Sequence, residues 1–260
     1  MAPEARRQLR LAAAERALRQ GDPTRCVVEV EELLDDDPRD TEGLWLLAQS
    51  LTALRDAPVA AEAWRALIEA GEDGAWVWAQ LAACAFESAQ IDQARQAAEQ
   101  ALARDATCGE AWYVRAQIVE RSEGADAAWP HFLRAHRLGP LTWPLPLVLS
   151  PLDVERIVEQ ALADVAPEVA ALWTEVPLRL QPWPELAVLQ DPVPPVSPRV
   201  LALYDGPPPP DATSGQRPPG LAIYVGNLAH HDHPDQAAAA LADALEQEAA
   251  DWLPAPEADG

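Results

Sequence analysis

Residues along the first half of the chain repeat in two cycles, one inside the other. The short cycle puts matching positions three and four residues apart, the spacing that lines one face of an α-helix. Trp112, Arg115, Ala116 and Val119 form one such stripe; Ala128, Phe132 and Ala135 form a second, which Pro140 closes. The long cycle is 34 residues. One step back gives Trp78, Leu81, Ala82 and Ala85, then Ala94, Ala98 and Ala101. The next gives Leu44, Leu47, Ala48 and Leu51, then Ala60, Trp64 and Leu67. The last gives Arg10, Ala13, Ala14 and Ala17, then Cys26, Val30, Leu33 and Pro38. Turn-forming runs separate the stripes at Gly21-Asp22-Pro23, Asp56-Ala57-Pro58 and Ser122-Glu123-Gly124. The pattern predicts four helical hairpins over residues 7–142, in units starting near residues 7, 41, 75 and 109.

The physical logic is complementary size. Small residues at Ala14, Ala48, Ala82 and Ala116 let the two helices of a hairpin approach closely, and larger neighbours fill the space between hairpins. One hairpin cannot bury its own stripe, so stacking supplies the core. Pro130 departs from the pattern, but a position near the start of its helix costs few hydrogen bonds.

From Leu149 the pattern changes, and proline becomes dense from Pro140 onward. This shift divides the chain into a helical domain over 1–142 and a second over 143–260. Ser150-Pro151-Leu152-Asp153 is a helix start, and Val154, Ile157, Val158, Ala161 and Leu162 follow at helical spacing. A shorter helical piece follows Pro167. Residues 176–180, 200–204 and 221–225 are expected strands, the last almost wholly apolar. A Pro-rich surface loop spans 206–220, and a final Ala-rich helix spans 234–253.

The first half resembles the tetratricopeptide (TPR) repeat family, whose motif is W-x2-L-G-x2-Y, then A-x3-F, then Pro, with a 34-residue period. The resemblance implies an α-helical solenoid that binds a protein or peptide on its concave groove. In this register the groove presents Trp45, Gln49, Trp76, Tyr113 and Gln117, the aromatic residues as anchors and the Gln residues as partners for a peptide backbone. Trp45 and Trp76 also suit a simpler role as core between hairpins.

The second half resembles the minimal zincin-like metallopeptidase family, from Ser150 to about Glu257. That family's L-x-L-Y-[DE]-G segment corresponds to residues 201–206, and its I-x-[IL]-[YF] strand to residues 221–224. The resemblance implies a small α+β domain whose last helix carries H-E-x-x-H, two zinc-binding histidines around a general-base glutamate. Here the matching segment is Gln247-Glu248-Ala249-Ala250-Asp251, with Glu257 near the family's later acidic ligand. Glu248 keeps the base position, whereas an amide and a carboxylate replace both imidazoles. Zinc binds imidazole and thiolate well and an amide carbonyl poorly. The domain is therefore expected to have lost its metal and its peptidase activity. Apart from the resemblance, Glu248 is one more solvated acid. The alternative is an active zinc-dependent metallopeptidase with a rearranged site, using Glu248 as base together with Asp251 and a loop histidine such as His231 or His233. His230, His231 and His233 with Asp232 lie ahead of the last helix, where a solvated loop is the simpler expectation.

Composition narrows the partners. The net charge is −23 and every basic residue is Arg, a surface that repels phosphate and anionic lipid. Nucleic acid and membrane are poor partners; a basic protein is accommodated more easily. Cys26, Cys84 and Cys108 are odd in number and form no C-x-x-C pair, which suggests reduced thiols. With no apolar run long enough to span a bilayer, a cytoplasmic protein is the expectation. The functional expectation is a non-catalytic interaction or scaffold protein that needs no cofactor, with zinc required only by the alternative.

Overall fold

The computed structural model describes residues 3–209 and 216–253. It divides into two compact units. The first comprises the chain up to Trp143 together with Leu189–Ser197; the second comprises Pro144–Val188 and the chain from Pro198 onward. The sequence division at 142/143 placed residues 189–197 in the second domain, and the structure assigns them to the first.

Among its described residues the first unit contains four helical hairpins. These are α1 (Pro3–Arg19) with α2 (Pro23–Asp36), α3 (Thr41–Ala53) with α4 (Ala57–Glu69), α5 (Ala75–Glu87) with α6 (Ile91–Arg104), and α7 (Gly109–Glu123) with α8 (Ala125–Leu138). The helices α3, α5 and α7 start 34 residues apart, as the pattern predicts. Each helix packs on the next in sequence, so every hairpin meets its neighbour. The small-residue slot is fully enclosed in all four: Ala14, Ala48, Ala82 and Ala116 have no exposed surface. The opposing slots Cys26, Ala60, Ala94 and Ala128 are equally enclosed, which is the close approach that small side chains permit.

Local signals start and stop the helices. The Asp22 side chain accepts the Arg25 amide at α2, and Asp40 accepts the Gly43 amide at 2.9 Å at α3. The turns inside the first three hairpins reverse through a left-handed residue: Gly21 (φ 74°), Arg55 (φ 60°) and Ala89 (φ 55°), again 34 residues apart. Pro130 lies inside α8 rather than in its first turn, so one intrahelical bond is missing there. Trp143 packs over Gly109 and Gly139. A Cβ on Gly109 would stand 2.2 Å from the Trp143 ring, so only glycine fits that position.

The second unit contains α9 (Pro151–Asp164), α10 (Pro167–Thr174), β1 (Leu178–Gln181), β2 (Ala202–Tyr204), β3 (Leu221–Tyr224), α12 (Val225–Leu228) and α13 (Pro234–Ala249). Between β1 and β2 the short helix α11 (Leu186–Gln190) leads to the segment that belongs to the first unit. Ser150 and Asp153 form a reciprocal capping box at the start of α9. The sheet order is β1-β3-β2, with β1 parallel and β2 antiparallel to β3. All four residues of β3 are buried, which explains its apolar sequence: it is the central strand. The core joins Ile157, Leu172, Trp173, Ile223, Leu241 and Leu245. The Trp173 indole N–H donates to the Leu245 carbonyl at 3.0 Å and ties α10 to α13.

Candidate functional site

The aromatic residues expected in the groove form a cluster on the array. Trp45 on α3 and Trp76 on α5 lie ring against ring, with centroids 4.8 Å apart and planes at 33°. Both meet Trp64 of α4 edge-on, at 6.0 and 5.2 Å. Trp64 is 1% exposed, and its indole N–H donates to the Thr52 hydroxyl at 3.1 Å. Trp76 is 42% exposed and Trp45 half-buried. Each therefore combines the two roles the sequence offered: one edge packs at the seam between hairpins and the rest faces outward. A buried indole beneath them holds the pair rigid, so an incoming group meets apolar area at little cost in side-chain entropy.

Gln49 lies one helical turn beyond Trp45 and is half-buried. Tyr113 on α7 is also half-buried, its ring edge-on to Phe132 at 5.5 Å. Gln117 requires a correction: it is 1% exposed and presents no open surface. Its helix packs against α5, α6 and α8, and Val114, Ala116, Ile118, Val119 and Glu120 are buried around it. A groove position read from periodicity alone does not register that enclosure.

The sequence reading missed a further element of this unit. Leu189–Ser197 is held at the C-terminal end of α5. The Gln190 side-chain amide donates to the Ala89 carbonyl at 2.9 Å, and the Ser197 hydroxyl donates to the Glu87 carboxylate at 2.5 Å. Leu189 is buried, and the Val196 amide closes the segment on the Leu189 carbonyl at 2.8 Å. Glu87 lies eleven residues, three helical turns, beyond Trp76 on α5. Both therefore share one helix face. The only sequence signal for this docking was a proline-rich run without periodicity.

In the second unit, α13 ends at Ala249, short of the predicted 253. The backbone tightens beyond it, with the Ala250 amide on the Gln247 carbonyl and the Trp252 amide on the Ala249 carbonyl. The segment aligned with H-E-x-x-H is thus cut by the helix end, and Asp251 does not continue the regular helix from Gln247. Gln247 is exposed. Glu248 is half-buried and accepts the Tyr204 backbone N–H at 3.0 Å. Tyr204 belongs to the edge strand β2, and this amide points away from β3, so the carboxylate satisfies an edge donor that the sheet leaves unpaired. Its neighbour Glu246 accepts the Ala166 amide at the start of α10 at 3.2 Å. Glu248 is therefore not a solvated acid but a link between helix and sheet.

The Tyr204 hydroxyl donates to the Asp251 carboxylate at 2.7 Å, and its ring stands edge-on to Trp252 at 5.2 Å. Burial pushes the Glu248 carboxyl above its ordinary 4.5; the Tyr204 amide opposes that shift and the Asp251 charge adds to it. Burial and the hydrogen bond to Asp251 also push the Tyr204 phenol up.

This donor set does not fit zinc. Gln247 offers an amide, Glu248 already holds an amide proton, and Asp251 holds a phenol. Among the described residues no three His, Cys, Asp or Glu side chains are grouped as a metal site. Glu257 lies outside the described residues. His231 and His233 do not join Glu248 either. They precede α13, whereas Glu248 is in its last turn, about 20 Å away at 1.5 Å per residue. Burial and the neighbouring His230 push the His231 imidazole down. The rearranged site that needed a loop histidine beside Glu248 is not formed.

No protein-family model matches the chain, and no curated protein matches it. Similar solved structures include MamA, with TM-score 0.49 and 15% identity over 61% of this chain and 80% of that one. MamA from Desulfovibrio magneticus RS-1 gives 0.48 and 18% identity over 52% and 76%. YrrB, a TPR protein with an unusual peptide-binding site, gives 0.44 and 13% identity over 49% and 66%. The repeated hairpins described above define a TPR-like helical array in the first unit. Among the described residues no helix is long and apolar enough to cross a membrane.

Proposed function

We propose that this chain is a non-catalytic interaction protein whose helical array recruits a protein or peptide partner through Trp45, Gln49, Trp76 and Tyr113. The observation that carries this reading is the tilted, partly exposed Trp45–Trp76 pair on its buried Trp64 base. A rigid aromatic pair is the kind of anchor that dominates binding surfaces. The net charge of −23 favours a basic partner over nucleic acid or anionic lipid. The smaller unit is, in this reading, a zincin-like domain without its metal, serving as a second surface or a structural cap. The order of its elements and the place of Glu248 support that relationship; the loss of both imidazoles supports the loss of activity. Free cysteines are consistent with a cytoplasmic setting.

The test is a peptide-array screen of the full chain, repeated with Trp45→Ala and Trp76→Ala. Peptides that bind the wild type should lose about 2 kcal/mol per substitution, roughly thirtyfold in affinity. Peptides that bind the double variant as well as they bind the wild type would refute the assignment.

A further inference from the structure

We infer that the open ring face of Trp76 is the seat of an arginine side chain of the partner. The inference rests on the proposed interaction role and names the group that the aromatic pair recognises. The indoles of Trp45, Trp64 and Trp76 form a nearly equilateral triangle, with centroids 4.8, 5.2 and 6.0 Å apart. Trp45 leans over one face of Trp76 at 33°, and Trp64 stands beside Trp76, turned to it by 86°. Neither ring lies across the second face of Trp76, and Trp76 is 42% exposed. A ring face carries the negative part of the aromatic quadrupole, and indole attracts a cation more strongly than the smaller rings do.

Elsewhere in the array the chain supplies that cation itself. Arg104 lies over Trp78 at 5.0 Å, Arg115 over Trp112 at 5.6 Å and Arg121 over Phe86 at 4.9 Å. Among the described residues no Arg lies over Trp45 or Trp76, which leaves the position to an outside group. The surrounding charge sets the sign of that group. Residues 40–76, which carry all three indoles, hold seven acids and two Arg. Arg7 and Arg104 reach in from other hairpins, the first to Asp40 and Glu42 and the second to Asp73, and the acids still exceed the four cations. Glu42 lies one helical turn before Trp45 on α3, and its side chain is 65% exposed. A guanidinium is planar and weakly hydrated, so it can lie flat on an indole while its edge donates to a carboxylate. An ammonium holds its water more tightly and cannot stack in this way, which selects arginine over lysine.

The probe is a fluorescent, acetylated Gly/Ser peptide with three Arg residues, read by anisotropy against the full chain at about 0.15 M salt. Versions with Lys or citrulline at the same positions keep the charge or the shape alone. The Arg peptide should bind about fivefold more tightly than the Lys peptide and at least about tenfold more tightly than the citrulline peptide. Trp76→Leu keeps an apolar side chain without a ring face, and should bind the Arg and Lys peptides alike. Trp76→Phe, a smaller change to the packing on Trp64, should retain part of the preference. NMR of the isotope-labelled chain places the contact: the indole N–H signal that Trp76→Leu removes should be the one the Arg peptide shifts. An unmoved Trp76 signal, equal wild-type affinity for the Arg peptide and either of its counterparts, or an Arg preference that survives in folded Trp76→Leu would each overturn the inference. If that happens while Trp45→Ala and Trp76→Ala still weaken array-selected peptides, the recruiting role stands and only the arginine seat falls.

Discussion

Asp40 in the helical array and Glu248 in the smaller unit are both carboxylates drawn away from water, yet the fold favours opposite protonation states of them. Burial would raise Asp40, but hydrogen bonds from the Arg7 guanidinium and the Gly43 amide outweigh it and hold the carboxyl below its ordinary 3.8. Glu248 accepts one backbone amide, and Asp251 lies nearby, so burial prevails and its carboxyl rises. In the array Arg7 of α1 reaches across to the start of α3, where it meets Asp40 and also Glu42 at 2.8 Å. The smaller unit has one short sheet and uses its acids to finish backbone hydrogen bonds, Glu248 at Tyr204 and Glu246 at Ala166. A carboxylate in a motif position is thus no evidence of catalysis until its partners are known.

The largest expected effect lies in the core of the smaller unit. Trp173→Ala removes a ring that is 2% exposed and its bond to the Leu245 carbonyl, and should cost about 3–5 kcal/mol. Hydrogen exchange at the β3 amides reads the loss; slow exchange as in the wild type would show that the core does not depend on Trp173. Next comes Asp40→Ala, which deletes the α3 cap and the ion pair with Arg7 and should cost about 1–2 kcal/mol at pH 7. Because the folded-state value of Asp40 lies below the unfolded one, this stabilisation is complete above about pH 4 and fades as pH falls. Denaturation midpoints of wild type and variant should therefore converge in acid.

Arg55→Gly should stabilise the array slightly. A left-handed non-glycine residue costs roughly 1–2 kcal/mol, and the added freedom of unfolded glycine returns part of that, leaving about 0.5 kcal/mol. A lower melting temperature would contradict it. Glu248→Gln should have the smallest effect at the low-pH end, where both forms are neutral. With its folded-state value above the unfolded one, the contribution of Glu248 is present in acid and lost as pH rises through the folded value. The variant should accordingly gain on the wild type as pH increases, the reverse of the trend at Asp40.

These contrasts also mark where sequence alone was sufficient. The Ala14, Ala48, Ala82 and Ala116 slots were legible because the same local environment recurs four times. β3 was legible because a strand covered on both faces must be apolar throughout. Gln117 was misread because its burial comes from three neighbouring helices, which its own spacing cannot encode. The docking of Leu189–Ser197 joins residues about a hundred positions apart through side chains that follow no period. The partner of Glu248 is equally remote, a backbone amide that any residue at position 204 would supply.

The end of α13 in the smaller unit, with Gln247, Glu248 and Asp251, lacks the donors to hold a metal. The most direct measurement is zinc per chain, by mass spectrometry, in untagged protein purified from zinc-supplemented cultures. Because Gln247 offers only an amide and the Glu248 and Asp251 carboxylates are engaged by Tyr204, we expect less than about 0.1 zinc per chain. One tightly held zinc per chain that is lost on Glu248→Ala would contradict it.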